Sequence, residues 1–221
     1  MSEPTENQRY EGRIGDWIIE KNHQFIIFNK PAGLPVQPDT TDDLALSQMG
    51  SAYARTGLQP VHRLDRPVSG LVIMSKKASA QTAITKQFKN EAVEKTYLAI
   101  VGERPEKDED TLVDFILEQG GKRNRSSIAA ADIPKARRAE LSYRYLGGSD
   151  RYHLLEVKPK TGRKHQIRLQ LANIGSPLRG DTKYGFKRAQ EGGLIDLHSW
   201  KISFDHPVSE KRLSFTAPVP N

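Results

Sequence analysis

A turn that cannot be helical, set between ionised side chains and an apolar run, constrains this chain more than any other stretch. It runs from Pro60 to Ser75 and reads PVHRLDRPVSGLVIMS. Pro67 lacks an N–H and fixes φ, and Gly70 loses more backbone freedom in a helix than any other residue, so both disfavour helix. Leu71 to Met74 is a short apolar run bounded by turn residues, the pattern of a buried strand. Asp65 is therefore expected on a loop at the edge of a sheet, with His62 and Arg63 close in sequence. A carboxylate fixed there is a candidate nucleophile or base. The same residues also describe an ordinary charged surface turn.

A length of 221 residues suits one domain. The net charge of +7 favours a polyanionic partner such as RNA, DNA or an anionic membrane. With no cysteine, disulfides, zinc–cysteine sites and thiol catalysis are excluded. No run approaches the roughly eighteen apolar residues that span a bilayer, and the opening MSEPTENQRYEGR has no basic-then-apolar leader pattern. A soluble cytoplasmic protein without a membrane partner is the expectation. The chain has no dinucleotide fingerprint, P-loop or plausible metal cluster.

Residues 1–10 are polar and expected to be loose, leaving residues 11–221 as a single domain. Trp17–Ile19 and Phe25–Phe28 read as strands. The second runs into Asn29-Lys30-Pro31-Ala32-Gly33-Leu34, a rigid turn that leaves Lys30 at a strand tip, facing a cleft or solvent. Residues 42–54 pattern as a helix with Thr41 as N-cap. Residues 78–90 pattern as a second helix, with Ala80, Ala83, Ile84, Gln87 and Phe88 on one stripe. Glu94–Gly102 is a strand apolar on both faces, hence covered, and Tyr97 within it reads by itself as a core aromatic. Residues 103–136 combine a charged loop, a short strand over Thr111–Leu117 and the basic turn QGGKRNR. They read as a flexible basic insertion, either solvated or touching RNA phosphate. Ala139–Leu146 and Tyr152–Val157 resume the sheet. Arg163–Ile174 patterns as a helix with Ile167, Leu171 and Ile174 on one stripe and Arg168 at its border with solvent. Two strands close the chain, Leu194–Phe204 and Leu213–Pro218.

HRLDRPVSG resembles the HRLD-x-x-(T/S)-S-G signature of RluA-type pseudouridine synthases, with Val68 where that family usually has Thr. NKPAGL resembles its KPAG motif and KTYLAIVG its K-x-Y-x-A-x-V-x-G segment. KPKTGRKHQIRLQLANIGSPLRGDTKYG follows its TGR-x-HQIR motif and the GD-x-x-YG loop after it. LHSWKISFDHP and FTAPVP are similar to its C-terminal segments. The likeness covers about Phe25 to Pro218 and is weakest over 103–136.

The resemblance implies an α+β fold: a mixed, mostly antiparallel bent central sheet flanked by helices, with a central basic cleft. It implies isomerisation of uridine to pseudouridine in a 23S-type rRNA or a tRNA stem-loop, by a monomer needing neither cofactor nor metal. In that reading Asp65 attacks C1′ or abstracts a ribose proton. Arg168 supplies the opposite charge, and Tyr97 offers a flat face to the detached uracil. Arg63 enters the RNA stack as the uridine leaves it, a step that costs a few kcal/mol. His62, Lys30, Arg163 and His165 would support RNA binding: Lys30 by phosphate contact, Arg163 by anion contact at the helix start and His165 by anchoring the loop. Too few residues precede Trp17 for the S4-like domain of some relatives. Two other readings stay open. One is a non-catalytic RNA-binding or chaperone module on the same fold. The other is a hydrolase built on Ser69 with His62, His165 or His198, which lacks a G-x-S-x-G elbow.

Overall fold

The computed structural model describes residues 12–41, 43–119 and 125–220. They form two compact units, one holding the described residues up to Val93 and from Trp200 on, the other Glu94–Ser199. The loose segment expected at 1–10 and the centre of the basic turn at 120–124 lie outside the described residues.

In the first unit β1 (Ile18–Lys21), β2 (Phe25–Lys30) and β4 (Ser69–Ser75) pair in that order, all antiparallel. A two-residue β3 (Gln59–Pro60) also pairs with β4, while β10 (Leu197–Asp205) and β11 (Arg212–Thr216) form a hairpin. Every residue of β4 is buried, as a run apolar on both faces requires. The register sets Ile27 opposite Ile73, so alternate residues of both strands share a face. On it Phe25, Ile27, Leu71 and Ile73 join Ile84 of α2 (Ala78–Lys89) and Phe204 of β10 in one core.

The expected helix over 42–54 is shorter: α1 spans Leu46–Ala54. Ala45, not Thr41, precedes its first turn, and the Ala45 N–H donates to Gln48 Oε1 at 2.9 Å. Thr41 is drawn elsewhere. Its hydroxyl donates to Asp39 at 2.6 Å and accepts from Arg66 at 2.9 Å.

The second unit is an antiparallel sheet in the order β5-β9-β8-β6-β7. Its strands are β5 (Glu94–Val101), β6 (Glu109–Gln119), β7 (Arg125–Ala129), β8 (Arg137–Gly148) and β9 (His153–Pro159). Two of them, β6 and β7, lie in the stretch expected as a flexible insertion. Here Leu112 and Ile116 are buried, but Glu109, Asp110, Asp114 and Glu118 along the same strand dilute the apolar alternation that would have shown it.

The helix α3 (Gln166–Asn173) packs on β6 and β7. It starts three residues later than expected because His165 adopts a left-handed conformation, φ 56° and ψ 22°. Ile174 falls beyond its end and is exposed. All six residues from Gln166 to Leu171 are buried, so the core-facing surface is far wider than the stripe read from sequence. Three of the six are polar, and each finds partners. The α+β class with mostly antiparallel strands and few helices is the fold observed.

Candidate active site

Asp65 sits half-buried on the turn before β4, where its carbonyl accepts the Val68 N–H at 3.0 Å. Val68 is 2% exposed. A hydroxyl left unpartnered at such a site would cost about 1–3 kcal/mol, and the Val68 side chain brings none. Arg63 is exposed, while His62 is turned inward. His62 Nε2 accepts the Ile73 N–H at 3.1 Å, and its ring stacks on Phe88 at 4.8 Å between centroids. Accepting that bond requires the neutral imidazole. His62 thus pins the loop to β4 and to α2.

Lys30 corrects the expectation of a phosphate-contacting cation. It ends β2 as expected, but its side chain is wholly buried. Its Nζ donates to the carbonyls of Pro31, Leu34 and Arg66 at 2.9, 2.8 and 3.2 Å. An ammonium has three N–H groups, and here three carbonyls receive them. Lys30 therefore ties the KPAG turn to the Asp65 loop from beneath, out of reach of RNA. Burial pushes its pKa down to about 7; the nearby Asp65 charge opposes that fall and the Arg66 charge adds to it.

The linked stability has a definite sign. Between about 7 and its ordinary 10.5, Lys30 holds fewer protons in the folded protein than in the unfolded chain, so its contribution to stability rises with pH across that window. Lys30→Met should lose this rise. Urea titrations of both proteins from neutral to alkaline pH would show the wild type gaining on the variant; parallel curves would contradict it.

Arg66, beside Asp65, was not singled out by the sequence. Its Nε donates to the Gly33 carbonyl at 2.9 Å, and its guanidinium pairs with Asp43 and, at 3.4 Å, with Asp39. The Gly33 N–H donates back to the Arg66 carbonyl at 2.8 Å. Gly33 has φ +86°, a conformation in which a Cβ would be strained. Lys30 and Arg66 together clamp the backbone that carries Asp65.

In the second unit Tyr97 is half-buried on β5, opposite Val157. Arg168 on α3 is 7% exposed. Its Nε and Nη2 donate to Asp181 Oδ2 and Oδ1 at 2.7 and 2.9 Å, a bidentate pair of fixed orientation. Its guanidinium also lies 5.2 Å from the Tyr184 ring centroid. Sequence reasoning gave Arg168 a counter-charge in Asp65 and missed Asp181 and Tyr184. Both stand in the GD-x-x-YG segment already noted, which was the available signal.

Tyr184 also links three segments. Its oxygen accepts the Ser126 N–H at 3.0 Å and lies 2.7 Å from His165 Nδ1. Burial holds the phenol above its usual pKa, so it stays protonated and can donate to His165. His165 is thus an anchor at the start of α3. Arg163 Nε donates to the Arg138 carbonyl at 3.0 Å, and the Arg163 backbone N–H donates to Gln166 Oε1 at 2.9 Å. Among the described residues, no group of three or more His, Asp or Glu is placed to hold a metal ion.

In each unit, then, a charged side chain of the candidate set has a fixed support. In the first, Lys30 and Arg66 clamp the backbone of the turn that carries the Asp65 carboxylate; in the second, Asp181 holds the Arg168 guanidinium itself. Such preorganisation suits a reaction that builds and moves charge.

Residues 24–173 match the family model described as RNA pseudouridylate synthase. The ribosomal large subunit pseudouridine synthase D of Zymomonas mobilis is 31% identical over 92% of this chain and 69% of its own length. The tRNA pseudouridine synthase C of Haemophilus ducreyi is 30% identical over 90% of this chain and 89% of its own. Among solved structures, the human RNA pseudouridylate synthase domain containing 4 superposes with a TM-score of 0.75 at 22% identity. That match covers 94% of this chain and 90% of the other, a likeness of fold.

Proposed function

The chain belongs to the RNA pseudouridylate synthase family, and we propose that it isomerises uridine to pseudouridine in ribosomal RNA or tRNA with Asp65 as nucleophile or base. The observation that carries the reading is the clamped Asp65 turn within a stretch that matches the family. The matched residues 24–173 run through both units, which favours treating them as parts of one catalytic domain.

The reaction breaks the bond between C1′ and N1, turns the uracil, forms the bond between C1′ and C5, and moves one proton from C5 to N1. Atoms and electrons balance without an outside oxidant, reductant or water, so the reading needs no cofactor. Asp65 attacks C1′ or removes a ribose proton. Arg168, oriented by Asp181, stabilises charge at the reacting centre, and Tyr97 stacks on the freed base. Arg63, exposed ahead of Asp65, is the residue to take the vacated place in the RNA stack. RNA affinity should fall by about 0.7 log unit per contacted phosphate for each tenfold rise in salt if the contacted RNA is single-stranded.

The test is tritium release from RNA labelled at uridine C5, followed by mapping of pseudouridines in total RNA with and without the protein. Turnover with sites appearing only in its presence is expected. Binding without turnover on any RNA would instead favour the non-catalytic module. A flat salt titration would refute a phosphate-dominated interface.

A further inference from the structure

Two guanidinium–tyrosine stacks in the second unit share one construction. Arg104 lies with its Cζ 4.6 Å from the Tyr145 ring centroid, and its Nη2 donates to Asp108 Oδ1 at 2.7 Å. Arg179 lies with its Cζ 4.7 Å from the Tyr152 ring centroid, and its Nη1 donates to Asp196 Oδ2 at 3.0 Å. In each, a carboxylate holds an edge of the guanidinium plane while a ring covers its face, a division of labour that lysine cannot provide. His153 lies against the same Tyr145 ring at a tilt of 48°, with ring centroids 6.0 Å apart.

The backbone brings these residues to one end of the unit's sheet. Val101, the last residue of β5, sits opposite His153 and bridges to Leu178. The Arg179 N–H donates to the Ile100 carbonyl at 2.8 Å, and the Tyr145 N–H to the Asp108 carbonyl at 2.7 Å. The β8–β9 register shifts between Tyr145 and Gly147. A Cβ on the next residue, Gly148, would stand 2.6 Å from the Tyr152 carbonyl oxygen, 2.7 Å from His153 Nδ1 and 3.0 Å from the Tyr145 hydroxyl. The aromatic residues thus close over a position only glycine can occupy. Tyr152, backed by Arg179, is still 37% exposed.

We propose that this end of the second unit is a stacking platform for unpaired nucleotides of the RNA substrate, with Tyr152 and the Arg104–Tyr145 layer as its surfaces. The inference rests on the RNA-modifying role above and extends it to a surface that does no chemistry. Bases fit better than phosphates because each guanidinium is already matched by a carboxylate. The carboxylate beside each guanidinium offsets its pull on a phosphate, whereas a base needs only an exposed planar face.

The test measures binding of the full chain to a fluorescein-labelled oligouridylate and to a blunt RNA duplex. Tyr152→Ala should weaken oligouridylate binding by about tenfold, the scale of one lost base–aromatic stack. Duplex binding and the slope of log affinity against log salt should not change. Tyr152→Phe should bind as the wild type does. Equal losses on both RNAs, a shallower salt slope or no loss at all would overturn the proposal. Should Tyr152→Ala lower the melting temperature, Arg104→Ala on the exposed layer carries the same test. The readout does not depend on turnover. A chain without activity whose Tyr152→Ala variant loses oligouridylate selectively refutes only the catalytic reading. An active chain indifferent to both substitutions refutes only the platform.

Discussion

Asp65→Asn is expected to form no pseudouridine while binding RNA within a few-fold of the wild type. The change keeps the side chain's shape and removes its charge, and with it both nucleophilicity and basicity. The loop should hold its place, because its tethers run through backbone and neighbours: Lys30 to the Arg66 carbonyl, Arg66 to the Gly33 carbonyl, and Val68 N–H to the Asp65 carbonyl. Loss of a general base alone typically costs about 10²–10⁴-fold. A fall beyond that range in single-turnover tritium release would favour covalent attack at C1′, whereas easily measured residual turnover would sink the assignment of Asp65. Binding measured in parallel by fluorescence anisotropy guards against a trivial loss of RNA. Removing the charge also removes the influence that opposes the fall in the Lys30 pKa, so the alkaline rise in stability assigned to Lys30 should begin at lower pH in this variant.

Asp181→Ala should destabilise the fold by about 3–5 kcal/mol, the usual cost of stripping a partner from a buried ion pair. Arg168 and Asp181 are 7% and 1% exposed, and both carboxylate oxygens are used in the pair. Urea unfolding should show a lower midpoint with an unchanged slope. A cost below about 1 kcal/mol would mean that other groups hold the guanidinium. Activity should fall as well, measured where the variant is still folded, because the direction of Arg168 is set by that pair. Asp181→Asn, which keeps one acceptor oxygen, should lose less of both.

Local chemistry explains which features could be read early. The HRLD turn, the buried β4 and the α2 stripe each follow from residues within a few positions of one another. Pro67 and Gly70 disfavour a helix where they stand, and the short apolar run bounded by turn residues then reads as a buried strand. The family segments were legible for the same reason, as contiguous runs. Residues 103–136 were less legible because β6 and β7 are stabilised by pairing and by α3, while their own charges mask the alternation. α3 misled because a short helix enclosed on several sides buries polar residues as readily as apolar ones once each has a partner.

The sequence by itself determined the family, the turn that bears Asp65, and the buried strand that follows it. Only the tertiary structure decided that Lys30 lies beneath that turn instead of at a surface, that Arg66 clamps it, and that Arg168 pairs with Asp181. Propensity and period act over neighbouring residues, and those are printed in order. A charge's role depends on burial and on partners contributed from far along the chain. The same lysine is a solvated cation at a strand tip, or a three-carbonyl tether with its pKa near 7, according to whether residues 34 and 66 close over it.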